Sequence, residues 1–102
     1  MGQWHDVLKI AELKPGHGVQ SLIAGKILAV FNVEGKFFAI DDTCTHAGAS
    51  LAEGSVAGPV VTCPWHGATF DIMTGAALSD PAYEGVKTYN VKVQGDDLLI
   101  EI

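Results

Sequence analysis

Positive charge is scarce in this chain: six Lys and Arg stand against twelve Asp and Glu, for a net charge of −6. Such a surface repels a phosphate backbone, so nucleic acid is not an expected partner. The acidity suits solubility and docking to a basic protein patch equally well. Long hydrophobic runs are missing too. The longest clearly apolar stretch, ILAVF at 27–31, falls far short of the ~20 residues of a spanning helix, so no membrane partner is expected. The opening MGQWHDVL has no basic region followed by an apolar one, so no secretory leader is expected and the cytoplasm is the expected location. Repeats, low-complexity tracts and polar linkers are also lacking, and 102 residues suit one domain, so 1–102 is read as a single unit. A domain of this size buries roughly two-thirds of its unfolded surface. A metal centre here would serve function and not rescue the fold.

What the chain does have is short apolar stretches broken by glycine, the pattern of an all-β domain. The expected strands are 4–9, 19–23, 27–33, 37–41, 60–62, 69–72, 87–94 and 98–102, with hairpin turns at AGK (24–26), VEGK (33–36) and QGDD (94–97). The last strand alternates, placing Leu98, Ile100 and Ile102 on one face. Helix signals are weak: one short turn at IAELK, stopped by Pro15. Trp4, Phe31, Phe37 and Phe38 are core candidates, while His5 and His17 are expected to face solvent or make local hydrogen bonds. Residues 42–59 and 73–85 read as long irregular segments, and loops of that length in a compact domain usually carry function.

Cysteine is scarce as well, and the two that exist are informative. Cys44 opens CTH and Cys63 opens CPWH, so each has a histidine, His46 or His66, close downstream. In a reducing compartment such cysteines stay as thiols or metal ligands. Side chains two apart in an extended loop point the same way, and positions i and i+3 of a turn converge, with Pro64 stiffening the second. Two loops thus act as two fingers of a clamp, each with a glycine, Gly48 or Gly67, that lets the backbone turn with positive φ. A structural zinc site could use two Cys and two His, but its usual spacings fit poorly. A Cys/His nucleophile needs only one pair and leaves the duplication unexplained. A cluster with two irons accounts for the pairing directly, two thiolates on one iron and two imidazoles on the other. Chance spacing is the remaining alternative.

CTHAGASL and CPWHGATFD, separated by 16 residues between His46 and Cys63, resemble the signature of Rieske 2Fe-2S proteins: Cys-x-His, a gap in the mid-teens, then Cys-x-x-His. The likeness spans nearly the whole chain, and SDPAY at 79–83 resembles the family's proline loop, with Pro81 over the cluster. The resemblance implies small antiparallel sheets with two cluster-binding loops at one tip. It also implies one 2Fe-2S cluster, held by Cys44 and Cys63 on the inner iron and by His46 and His66 on the outer. Trp65, between two of these ligands, is expected to shield the cluster or touch a partner.

Respiratory Rieske proteins carry two further cysteines that join the loops; here Ala49 and Trp65 stand in their places, so that disulfide cannot form. The same branch has a serine and a tyrosine whose hydroxyls bond cluster sulfurs, where this chain has Ala68 and Phe70. Losing those donors lowers the potential, and histidine ligation keeps it above plant-type ferredoxins, so the expected midpoint is about −150 mV. Small disulfide-free Rieske proteins resemble the ferredoxin components of bacterial aromatic-ring dioxygenase systems. That resemblance implies an electron carrier and not an enzyme, passing single electrons from an NAD(P)H-dependent flavoprotein reductase to a terminal oxygenase in aromatic hydrocarbon catabolism. A chain ending at Ile102 is expected to lack the mononuclear-iron domain of such an oxygenase. The alternatives are a Rieske-like small subunit of a nitrite reductase or other reductase, and a structural zinc module on the same four residues.

Overall fold

The apolar stretches fold into ten strands in the computed structural model, which describes residues 2–45, 48–65, 67–79 and 84–102. They are β1 (Trp4–Lys9), β2 (His17–Ile23), β3 (Lys26–Val33), β4 (Lys36–Asp41), β5 (Ser55–Ala57), β6 (Val60–Thr62), β7 (Thr69–Asp71), β8 (Thr88–Tyr89), β9 (Val91–Gln94) and β10 (Asp97–Glu101). Every pairing among them is antiparallel, in three sheets ordered β1-β10-β9, β2-β3-β4-β8 and β5-β6-β7. The all-β reading therefore holds.

The hairpins close where turn chemistry placed them. Ala24 and Gly25 join β2 to β3 with φ of 49° and 81°, and Glu34 and Gly35 join β3 to β4 with 53° and 92°. Two consecutive positive φ values define a type I′ turn, whose twist matches the flanking strands. Among the described residues these are the two places where a side chain other than glycine's takes positive φ, a strain that the paired strands hold in place.

β3 is the wall around which the molecule is built. Residues 28–33 are all buried, so neither face of the strand meets water. Ala29, Phe31 and Val33 point into one apolar cluster, with Ile40, Leu51, Val61, Phe70, Ile72 and both cysteines. Leu28 and Val30 point the opposite way, into a second cluster with Leu13, Ile23, Ala39, Leu98 and Ile100. Asn32 is the polar exception within the run. Its Nδ2 donates to the Leu13 carbonyl at 2.8 Å and its Oδ1 accepts from the Gly35 N–H at 2.8 Å, so burial leaves nothing unpaired.

Several expectations need correction. Segment 87–94 is two strands in two sheets: β8 pairs with β4, β9 pairs with β10, and the chain crosses at Asn90. Segment 42–59, read as irregular, contains β5 and a 3-10 turn, Leu51–Glu53. The turn at IAELK is likewise a 3-10 turn, Ile10–Glu12. His17 begins β2 and closes the turn before it, its N–H donating to the Lys14 carbonyl at 3.2 Å. Trp4 is 39% exposed and outside both clusters; the Lys92 ammonium lies 4.2 Å from its ring centroid. Phe31 is fully buried, and Phe37 and Phe38 pack against opposite clusters.

β4 and β8 are hydrogen-bonded neighbours, and the Asp41 N–H donates to the Lys87 carbonyl at 2.9 Å just beyond their ladder. The chain between them makes one long excursion. That excursion holds the third sheet and both cysteines.

Candidate metal centre

Cys44 lies three residues past the end of β4, and Cys63 lies in the connection from β6 to β7. The two loops close alike. The Cys44 N–H donates to the Ala49 carbonyl at 2.9 Å, and the Cys63 N–H donates to the Ala68 carbonyl at 2.7 Å. In each loop the residue before that alanine is a glycine with positive φ, 73° at Gly48 and 75° at Gly67. An added Cβ would meet no atom within 4 Å at either glycine, so backbone conformation, and not lack of room, selects glycine there. Both glycines take the positive φ expected of them.

Both cysteines are free, 1% and 2% exposed, and belong to the larger apolar cluster. The Cys44 thiol lies near enough to act on that of Cys63. Burial pushes the Cys63 thiol above its ordinary value; the Trp65 backbone N–H, donating to its sulfur, opposes this, and the Cys44 thiol reinforces it. Two sulfurs enclosed together resist ionising in the absence of a cation, whereas a bound metal would favour both thiolates. The donor set therefore fits a thiolate-held metal or iron–sulfur group. His46, His66 and Pro81 lie outside the described residues, and no group of three or more His, Cys, Asp or Glu converges among those described.

Among the described residues, those packed in one cluster with the cysteines are apolar. Ala68 and Phe70 are fully buried and carry no hydroxyl, so the described sulfur environment offers an amide donor, Trp65 N–H, in their stead. The Trp65 ring is 57% exposed, which suits contact with a partner better than shielding. His5 and His17 sit on β1 and β2, away from either ligand loop in the chain.

Sequence reading missed the residues that hold the loops. Asp42 is 2% exposed and accepts from Gln20 Nε2, Ser50 Oγ and the Ala52 N–H. Its neighbour Asp41 accepts from the Tyr89 hydroxyl at 2.6 Å; burial, with this bond, holds the Tyr89 proton well above the ordinary tyrosine value. Thr45 Oγ1 donates to the Glu84 carbonyl at 2.8 Å, and the Thr69 and Ser79 hydroxyls bond at 2.7 Å. The DD before TCTH was the available signal for the first pair.

Residues 3–90 match the family described as "Rieske [2Fe-2S] domain". The ferredoxin component of the naphthalene 1,2-dioxygenase system of Pseudomonas aeruginosa is 36% identical over 100 residues, covering 98% of this chain and 96% of that protein. Among solved structures, the Sphingomonas yanoikuyae B1 ferredoxin superposes with a TM-score of 0.92 at 36% identity, covering 98% of this chain and 99% of its own. A chain in the complex of reduced oxygenase and oxidized ferredoxin of carbazole 1,9a-dioxygenase superposes with a TM-score of 0.91 at 34% identity, covering 96% of this chain and 92% of that one.

Proposed function

This chain belongs to the Rieske 2Fe-2S family, and we propose on that premise that it carries single electrons from an NAD(P)H-dependent flavoprotein reductase to a terminal oxygenase. Cys44, His46, Cys63 and His66 hold one 2Fe-2S cluster in this reading, the cysteines on one iron and the histidines on the other. A bound cluster of this kind supplies one reversible electron and no bond-making chemistry. The protein's own residues enclose the sulfurs, close the two loops at Ala49 and Ala68, and offer Trp65 to a partner. All 102 residues act as one domain. Drawing on NAD(P)H places the work in the cytoplasm; no helix among the described residues is long and apolar enough to cross a membrane.

The observation that carries the reading is the matched pair of buried, free cysteines in loops closed by the same backbone bond. Relatives named as ferredoxin components of dioxygenase systems support the carrier role. The carbazole dioxygenase complex of oxygenase and ferredoxin supports the terminal oxygenase as acceptor. Ala68 and Phe70 support a low potential, because a hydroxyl bond to sulfur would stabilise the extra electron. The expected midpoint is about −150 mV, low enough to accept electrons from a reduced flavin and too low to oxidise a quinol usefully.

Visible absorption and low-temperature EPR, with and without dithionite, test the assignment. A red-brown oxidised protein and a reduced signal with average g below that of all-cysteine ferredoxins are expected. Protein that stays colourless after anaerobic reconstitution with iron and sulfide would favour zinc at the same residues. A midpoint well above zero would overturn the low-potential assignment.

A further inference from the structure

The two ligand loops share their closing bond but differ in the strand pairing behind it. The second is the end of a regular hairpin, with Val60↔Asp71, Val61↔Phe70 and Thr62↔Thr69 paired across β6 and β7. Among the described residues the first has no such ladder. It leaves β4, makes one isolated bridge, Thr43↔Ser50, and runs into the 3-10 turn Leu51–Glu53. Where a strand partner would stand, Asp42 supplies bonds instead. Its carbonyl accepts from the Leu51 N–H at 2.7 Å, and its N–H donates to the Ile27 carbonyl at 3.2 Å. One carboxylate oxygen accepts from Ser50 Oγ at 2.9 Å and the Ala52 N–H at 3.0 Å, and the other from Gln20 Nε2 at 2.7 Å. Among the described residues, no cation pairs with this buried carboxylate; Lys9 and Asp97 form the one ion pair found there.

We propose that Asp42 is the positioning residue of the first ligand loop. Its carboxylate replaces the missing ladder, tying the Cys44 end of the loop to β2 and to residues 50–52. Its buried negative charge, two residues from Cys44, also disfavours the extra electron of the reduced centre. A buried charge satisfied by neutral donors keeps its sign at full strength in a poorly screened site. The charge claim rests on the metal-centre reading; the positioning claim does not.

Asp42→Ala and Asp42→Asn separate the two roles. The amide keeps an acceptor for Ser50 and Ala52, and Gln20 can rotate its carboxamide to accept from the new N–H. In the cluster-loaded protein, Asp42→Ala is expected to speed loss of visible absorbance to an iron chelator by about 10- to 100-fold, the usual effect of removing a group that orients a ligand. Asp42→Asn is expected to release the cluster near the wild-type rate with a raised midpoint. Amide exchange should quicken in Asp42→Ala over 43–52 and stay unchanged over 60–71, a local pattern that general destabilisation would not give. Wild-type release and exchange in Asp42→Ala would overturn the positioning role, and an unchanged midpoint in Asp42→Asn would overturn the electrostatic one. Should Asp42→Ala fail to fold, Ser50→Ala and Gln20→Ala each remove one donor, and wild-type release and exchange in both would overturn the proposal. A wild-type protein that takes up no cluster would defeat the proposed function, while the exchange comparison would still decide the positioning claim.

Discussion

Ala68 and Phe70 show how much a single missing oxygen can decide. Both are fully buried, and neither has a polar atom to offer a sulfur. Ala68 also accepts the bond that closes the second loop, so its backbone is fixed where a small side chain can be exchanged without rearrangement. A hydrogen bond to a charged acceptor is worth about 1.5–3 kcal/mol, and for one electron about 1.4 kcal/mol corresponds to 59 mV. Ala68→Ser is therefore expected to raise the midpoint by roughly 60–130 mV, read by equilibrium redox titration. An unchanged midpoint would show that the hydroxyl is not what is lacking. Residues of this kind were legible in the sequence because chemistry and spacing identify them: Cys44 and Cys63 by thiol, Gly48 and Gly67 by the turn they permit. Asp42 was not, because a carboxylate before a loop looks the same whether it is solvated or buried under three donors. Trp4 misled for the opposite reason. Its bulk suggests the core, yet β1 is a sheet edge, and the ring meets the Lys92 cation on the surface.

Among the elements, β3 holds the largest share of the packing. A strand with one wet face tolerates truncation at every second residue; β3 should not. Leu28 and Phe31 are both fully buried and point into different apolar clusters. Leu28→Ala is expected to cost about 2–5 kcal/mol and Phe31→Ala about 3–5 kcal/mol, measured by urea unfolding. Near-neutral behaviour of either variant would mean that one face of the strand is not core. The apolar run ILAVF made this strand readable, and all of it but Ile27 is buried. Short strands were harder. Ser55–Ala57 is three residues between Gly54 and Gly58, too brief to show a period. The apolar alternation of 87–94 continues through the change of sheet at Asn90, so the sequence holds no mark of the crossing. What fixes that crossing is distant pairing: Asn90 and Glu101 bond through both backbone and side chain.

At the scale of the whole molecule, the two apolar clusters stand in unequal relation to the candidate centre. One contains both cysteines; the other contains neither. Removing the cluster should loosen the first and spare the second, because metal binding stabilises the elements that supply its ligands. Hydrogen exchange of stripped against loaded protein is expected to quicken in β5, β6, β7 and the two loops and to leave β1, β9 and β10 unchanged. Uniform loss of protection would mean that the two halves unfold as one.

The adjacency of Asp41 and Lys87 has a consequence for anyone wishing to move the site elsewhere. The chain that carries both cysteines leaves its host sheet and rejoins it at points that share a hydrogen bond. The intervening chain is thus a cassette with its splice points side by side. A recipient scaffold would supply a gap one strand-spacing wide, about 4.8 Å, an apolar surface to stand in for the Phe31 face of β3, and a donor in the place of Gln20 to hold Asp42.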